Sequence, residues 1–384
     1  MNGTIVIIIG GLLIRLLAIV YIAWQGEMQA LEGTDALSFY LHAQYIAISG
    51  LYLSWEIGWN PYVNIAGFLM SGTGPNIVLM CLFSVLAWLI SAVMVDRGLN
   101  ILQVSPTNRI IAAVVIAFSP TGLLVSTVPL REPFQMLGLT LMCYATLRVV
   151  ALRQISYLFL FLFGFVITAA THLAMAAIAL TSVVGLFLYW AIFRADQLIV
   201  GRLAAAMFVS VFAFLAILSV VESRSVDLSN GLLSSVESFQ QTGATLDSRA
   251  QYKTEINAGS GVNSILFIIL GFVQYMIEPL PWRISSLGDV VVFAENWIRI
   301  LLLLLALAGI RRSTGPRRAT ALIFLYIYVV AELMWSLGTI NWGTAARHHA
   351  PQIPLLLLSV LAGNPLSLFN SRRSGGSAVA NAVV

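Results

Sequence analysis

Long apolar runs, broken by short polar stretches, fill this chain from its start to near residue 370. Ten runs stand out: residues 4–24, 76–95, 109–128, 133–150, 156–172, 174–193, 203–221, 291–310, 319–337 and 351–367. A helix needs about 20 predominantly apolar residues to cross a bilayer. The pattern therefore predicts an all-α, polytopic transmembrane bundle. Two further apolar segments, 57–71 and 263–278, are short and interrupted. The first holds Pro61, Asn64, Gly67, Gly72 and Gly74, and the second runs into Glu278-Pro279-Leu280-Pro281-Trp282. Both are expected to be re-entrant or interfacial. Irregular backbone at membrane depth survives only where protein or a wet cavity covers it, so a cavity is expected beside them.

The arginines decide between ten and twelve spans. If the two interrupted segments do not cross, Arg97, Arg109, Arg148, Arg153, Arg194 and Arg202 share one side with Arg311, Arg312, Arg317, Arg318, Arg372 and Arg373. If both cross, the first six face the other way. Basic residues concentrate in cytoplasmic loops, which favours ten spans with both termini cytoplasmic. The outer parts are then 25–56, 129–132, 222–262 and 338–350. Residues 1–370 form a single transmembrane domain, and 371–384 read as a disordered cytoplasmic tail. The first run carries no small-residue cleavage site before its polar flank, so it is expected to be a retained span rather than a removed signal.

Composition sharpens this picture. Hydrophobic residues make up 59% of the 384 and charged residues 9%, against roughly 25% charged in a soluble domain. A soluble globule is excluded. The net charge of +4 sits in short loops between apolar runs, a membrane pattern rather than a nucleic-acid-binding one. Cys81 and Cys143 both lie inside apolar runs, so no disulfide framework is implied. No phosphate loop, dinucleotide fingerprint or zinc-helix motif appears. Energy must then come from a pre-activated substrate or an ion gradient.

The chemistry-bearing residues gather in the outer loops. Asp35 opens a stretch in which positions 37, 40, 41, 45 and 48 repeat at helical spacing, predicting an in-plane amphipathic helix. Asp35 is either its cap or a base for an acceptor hydroxyl. Arg131 and Glu132 form an opposite-charge pair between two apolar runs, expensive unless it lines a cavity. Arg131 could grip a phosphate as a planar fork; Glu132 could orient a base, an acceptor or a metal. Arg347 and His348 follow a Gly-rich turn and suit a phosphate leaving group. They are expected at the outer start of the last span, where a helix N-terminus would add N–H donors. Glu32, His42, Arg249, Tyr252 and Asn341 are further candidates for acceptor or cavity contacts. His172 reads as a satisfied interfacial histidine. Arg15, Glu278 and Glu332 lie in or beside apolar runs without an assigned role. No cofactor is specified, and a divalent metal stays an alternative.

Several of these residues also resemble a family. Gly33-Thr34-Asp35 with Tyr40 and His42 in the first outer loop resembles the polytopic glycosyltransferases that use lipid-linked sugar donors, the GT-C superfamily. Ser119-Pro120, Ser126-Thr127 and Leu130-Arg131-Glu132 resemble membrane proteins of bacterial polysaccharide loci, as does Pro279-Leu280-Pro281-Trp282. Asn341-Trp342-Gly343-Thr344, Arg347-His348, Pro351 and Pro354 look like the last-span motif of the same group. Two departures stand out: Asp35 is not part of an adjacent acidic pair, and no C-terminal soluble domain is seen. The resemblance implies sugar transfer from a polyprenyl-phosphate or -pyrophosphate donor to an outward-facing glycan or glycolipid, at the plasma (bacterial inner) membrane. On that reading Asp35 or Glu132 is the base, and Arg131, Arg347 and His348 grip the phosphate. Two rivals remain: a polysaccharide polymerase or ligase using lipid-linked repeat units, and a flippase or transporter for the same lipids. A transporter should carry charge at mid-membrane depth and repeated halves, whereas the charges read as clustered at one interface.

Overall fold

A computed structural model describes residues 3–26, 35–55, 60–193, 250–252 and 262–363. The predicted span 203–221, nearly all of loop 222–262 and the tail 371–384 lie outside the described residues, as do the candidates Glu32 and Arg249.

The described residues are helical throughout, with one isolated bridge between Gln251 and Asn341. In chain order the helices are α1 (Gly3–Gln25), α2 (Asp35–Ser49), α3 (Asn60–Ser71), α4 (Ile77–Ile101), α5 (Pro106–Phe118), α6 (Pro120–Thr127) and α7 (Glu132–Leu152). They continue as α8 (Leu158–Thr171), α9 (Leu173–Phe193), α10 (Val262–Ile277), α11 (Leu287–Arg312), α12 (Gly315–Gly338), α13 (Trp342–His349) and α14 (Ile353–Ala362). Four of them are long and apolar enough to cross a membrane: α1, α4, α11 and the 317–338 part of α12. A bent pair, α5 with α6, makes a fifth if counted as one span. The coarse expectation, an all-helical protein with membrane-length apolar helices, holds. Three other apolar stretches, Ile155–Thr171, Ala174–Gly185 and Leu266–Ile277, are shorter helices.

One predicted span is broken at a proline. The 109–128 run bends by 52° between α5 and α6. Pro120 opens α6, and Ser119 caps it by accepting the Gly122 N–H at 3.2 Å; proline has no N–H to continue the previous helix and suits a first turn. Ahead of the last run, the expected outer loop 338–350 itself forms a short helix, α13. Asn341 caps α13 through the Thr344 N–H at 2.7 Å. A 3-10 turn, Ala350–Gln352, then leads into α14, with Pro351 and Pro354 in the two junctions.

α7 packs on α8 and α4, α12 on α14 and α9, and α1 on α5. Small residues set the closest approach, as expected where apolar solvent gives helices little reason to associate except van der Waals contact. A Cβ added at Gly138 of α7 would stand 2.8 Å from the Gly164 carbonyl of α8. The predicted stripe on α2 divides: Tyr40 is buried with Ala36, Phe39, Ala43 and Ile46, while Leu41, Tyr45 and Ile48 are exposed. The buried face is the one that meets α3.

Candidate functional site

Three helix ends converge on one guanidinium. Asp35 lies in the first turn of α2 and Glu132 in the first turn of α7, where a carboxylate is favoured by the helix dipole. Arg347 lies in the last turn of α13, where a cation is favoured. Its Nε and Nη2 donate to Glu132 Oε1 at 3.1 and 2.6 Å, and its Nη1 donates to Asp35 Oδ2 at 2.8 Å. The partners differ in exposure: the Glu132 side chain is 2% exposed and that of Asp35 63%. Burial pulls the Arg347 pKa down, but the two carboxylates outweigh it and hold it above the ordinary arginine value. The expected helix N-terminus at Arg347 is not there. Because Asn341 caps α13 a turn and a half earlier, Arg347 falls at the C-terminal end, and its backbone offers no free N–H array.

Arg131 faces the same cluster from the turn before α7. Nη1 donates to the Thr171 carbonyl at 3.3 Å, and Nε is buried with no partner. Burial lowers its pKa, against the opposing pull of Glu132. The Glu132 Oε2 atom is likewise buried and unpartnered. So the cluster holds two cations and two carboxylates, with one buried nitrogen and one buried oxygen unused. An apolar cavity of about 100 Å³ opens beside it, lined by Tyr62, Ile65, Leu69, Phe134 and Thr171.

His348 and His349 separate completely. His348 stacks on Trp335 with ring centroids 3.7 Å apart, and its Nδ1 meets the Thr339 hydroxyl at 3.0 Å. Burial, then the neighbouring His172, Arg347 and Arg131, holds its pKa well below the usual histidine value. It is a neutral wall of the site rather than a cation. His349 turns inward instead: Nδ1 lies 2.6 Å from Glu332 Oε2 and Nε2 3.3 Å from the Tyr275 carbonyl. Both side chains are at most 1% exposed.

The remaining candidates hold structure. Tyr252 donates its hydroxyl to the Thr339 carbonyl and its N–H to the Ile340 carbonyl, and Asn341 caps α13. Together they fasten segment 250–252 to the turn that supports His348. His42 lies two turns along α2 from Asp35, with Nδ1 2.7 Å from the Ser38 carbonyl. His172 accepts the Ala174 N–H at 3.0 Å, and its ring lies 4.8 Å from Trp335. Among the described residues no group of three or more His, Cys, Asp or Glu is placed to hold a metal ion.

Several polar residues inside apolar helices went unread or unassigned in the sequence. Glu295 of α11 accepts hydrogen bonds from the Ser119 hydroxyl, the Thr121 N–H and the Thr121 hydroxyl, tying down the α5–α6 break. Arg299 is 6% exposed and donates to Asn296 Oδ1 at 2.9 Å; Asn296 in turn donates to the Glu278 carbonyl. Arg15, fully buried, donates to Ser126, Gly11 and Ala117 and lies over the Trp88 ring at 3.5 Å. Charged side chains therefore also lie buried within the helices. The one available signal was an ionisable residue within an apolar run, which is a functional or structural demand by default.

The chain matches no family model, and no curated protein or solved structure matches it.

Proposed function

We propose that this protein is a membrane glycosyltransferase of GT-C type, moving a sugar from a polyprenyl-phosphate or -pyrophosphate donor to an outward-facing glycan or lipid acceptor. The observation that supports it best is Arg347 held between a buried and an exposed carboxylate, with Arg131 beside it. All three nitrogens of Arg347 donate to carboxylates. A phosphate arriving there replaces the weaker-held partner, exposed Asp35, and leaves Glu132 in place as the buried counter-ion. That exchange satisfies the leaving group and releases Asp35 at the same moment. Asp35 then takes the acceptor hydroxyl proton, the acceptor oxygen bonds to the anomeric carbon, and the bond from that carbon to the phosphate oxygen breaks. The new phosphate charge falls on Arg347 and Arg131. The apolar cavity at Tyr62 and Phe134 adjoins Arg131 and suits the start of an isoprenoid chain.

The site is assigned to the outer face of a plasma (bacterial inner) membrane, with Arg153 on the cytoplasmic side. Cys81 and Cys143 are buried, so an introduced cysteine gives a clean signal. Trp55→Cys, exposed in the outer part 25–56, is expected to react with an impermeant thiol reagent from outside and Arg153→Cys only after permeabilisation; the reverse refutes the orientation. The buried charges of α11 and α12 favour a second reading, a flippase or transporter for the same lipid. Membranes carrying the wild type and Asp35→Asn separate the two. Loss of glycan product with lipid-linked donor still reaching the outer leaflet supports transfer; loss of donor translocation supports transport.

A further inference from the structure

A cavity of about 230 Å³, whose lining does not include Arg347, lies between α5, α11 and α14. Its walls are mostly apolar, among them Val114, Phe118, Ile298 and Leu302. Its polar end is formed by Arg299, His349 and Glu295. Both oxygens of Glu295 are already engaged by Ser119 and Thr121. Arg299 is different. Its Nη1 is buried without a partner, and it makes no ion pair among the described residues. A buried guanidinium with an unused N–H carries the full desolvation cost of that group. A ligand oxygen would remove it.

We propose that Arg299 forms a second anion seat, for the anionic head of a ligand with an apolar chain, and that a proton binds with the anion at the neighbouring His349. The charges that face His349 require the coupling. They are Arg299 from α11, Glu332 from α12, the Tyr275 carbonyl from α10 and, on its own helix, His348. Tyr328 and Tyr275 also crowd Glu332, and Glu295 lines the same cavity. Without ligand, Arg299 offsets Glu332 and His349 is neutral: burial, then Arg299, lowers its pKa. An anion on Arg299 Nη1 cancels that cation's repulsion and leaves excess negative charge at low dielectric. His349, with Glu332 at Nδ1 and a carbonyl at Nε2, has an acceptor on each nitrogen and can hold a second proton. Binding raises its pKa, so affinity is greatest below the raised value and falls as pH climbs through it. By linkage each ligand strengthens the other.

Decanoate is a suitable probe, titrated calorimetrically into the detergent-purified protein in two buffers of different ionisation enthalpy. Wild type is expected to bind with proton uptake. Arg299→Gln should weaken binding about tenfold or more, and should do so equally in an Arg347→Gln background, which separates this seat from the proposed transferase site. His349→Gln should still bind but take up no proton. Arg299→Lys, which keeps the charge, covers the case in which Arg299→Gln does not fold, and should bind more weakly than wild type. A bound lipid anion extracted from wild type and missing from Arg299→Gln identifies the membrane as its source; binding of added decanoate alone identifies a ligand from solution. Equal binding in Arg299→Gln and Arg299→Lys to wild type overturns the seat. Undiminished proton uptake in His349→Gln overturns the coupling.

Discussion

The Arg347 cluster and the His349 cluster begin two residues apart on one short helix, yet they sit in different media. Asp35 is 63% exposed, so its contact with Arg347 can be exchanged for a ligand. Glu332 and His349 are at most 1% exposed, so theirs cannot be broken without stranding a charge. A carboxylate contact is thus a replaceable latch at one place and, hydrogen-bonded to a neutral imidazole, a fixed keel at the other. What differs is water. An exposed ion pair contributes about 0–1 kcal/mol, whereas leaving a buried hydrogen-bonding group without its partner costs about 1–3 kcal/mol.

Three measurements can break or sharpen that contrast. The largest expected effect is on turnover: Asp35→Asn should lower sugar transfer by about two to four decades, the range for loss of a general base, while leaving chemical denaturation close to wild type. Activity near wild type would leave Asp35 as a helix cap only. Next comes stability. Glu332→Ala, which leaves the buried His349 ring without its acceptor, should cost about 1–3 kcal/mol in denaturant titrations of the micelle-bound protein, and Asp35→Ala less than about 1 kcal/mol. Equal losses would erase the distinction between the two clusters. The smallest effect is a pH dependence at His348. Its pKa is depressed in the fold, so its share of stability is complete above the ordinary value near 6.5 and is lost as pH falls towards the depressed one. His348→Gln should flatten unfolding midpoints between about pH 7 and pH 5; an unchanged slope would mean His348 is not held neutral.

The sequence made the ingredients legible but not their arrangement. Asp35, Glu132 and Arg347 could be picked out because charge at the edge of an apolar run needs a reason. That Arg347 reaches both, 312 and 215 residues away along the chain, is tertiary information. Arg347 and His348 read as one phosphate grip because they are adjacent. A helix turns about 100° per residue, so His348 meets Trp335 and His349 faces Glu332. The break at Ser119-Pro120 carried its own local signal, but a continuous apolar count ran across it. Glu295 was invisible because its partners, Ser119 and Thr121, are more than 170 residues away. The helical class followed from hydrophobicity alone; how many of the shorter helices cross a membrane depends on their packing.

The central claim is that donor phosphate takes the place of Asp35 on Arg347. The most direct test is the affinity of farnesyl phosphate for purified wild type and Asp35→Asn, measured at fixed pH and salt. Removing the competing carboxylate charge should tighten binding in Asp35→Asn even as transfer falls, and adding Arg347→Ala to that variant should abolish the gain. Weaker or unchanged binding in Asp35→Asn would contradict the exchange and, with it, the role assigned to Arg347.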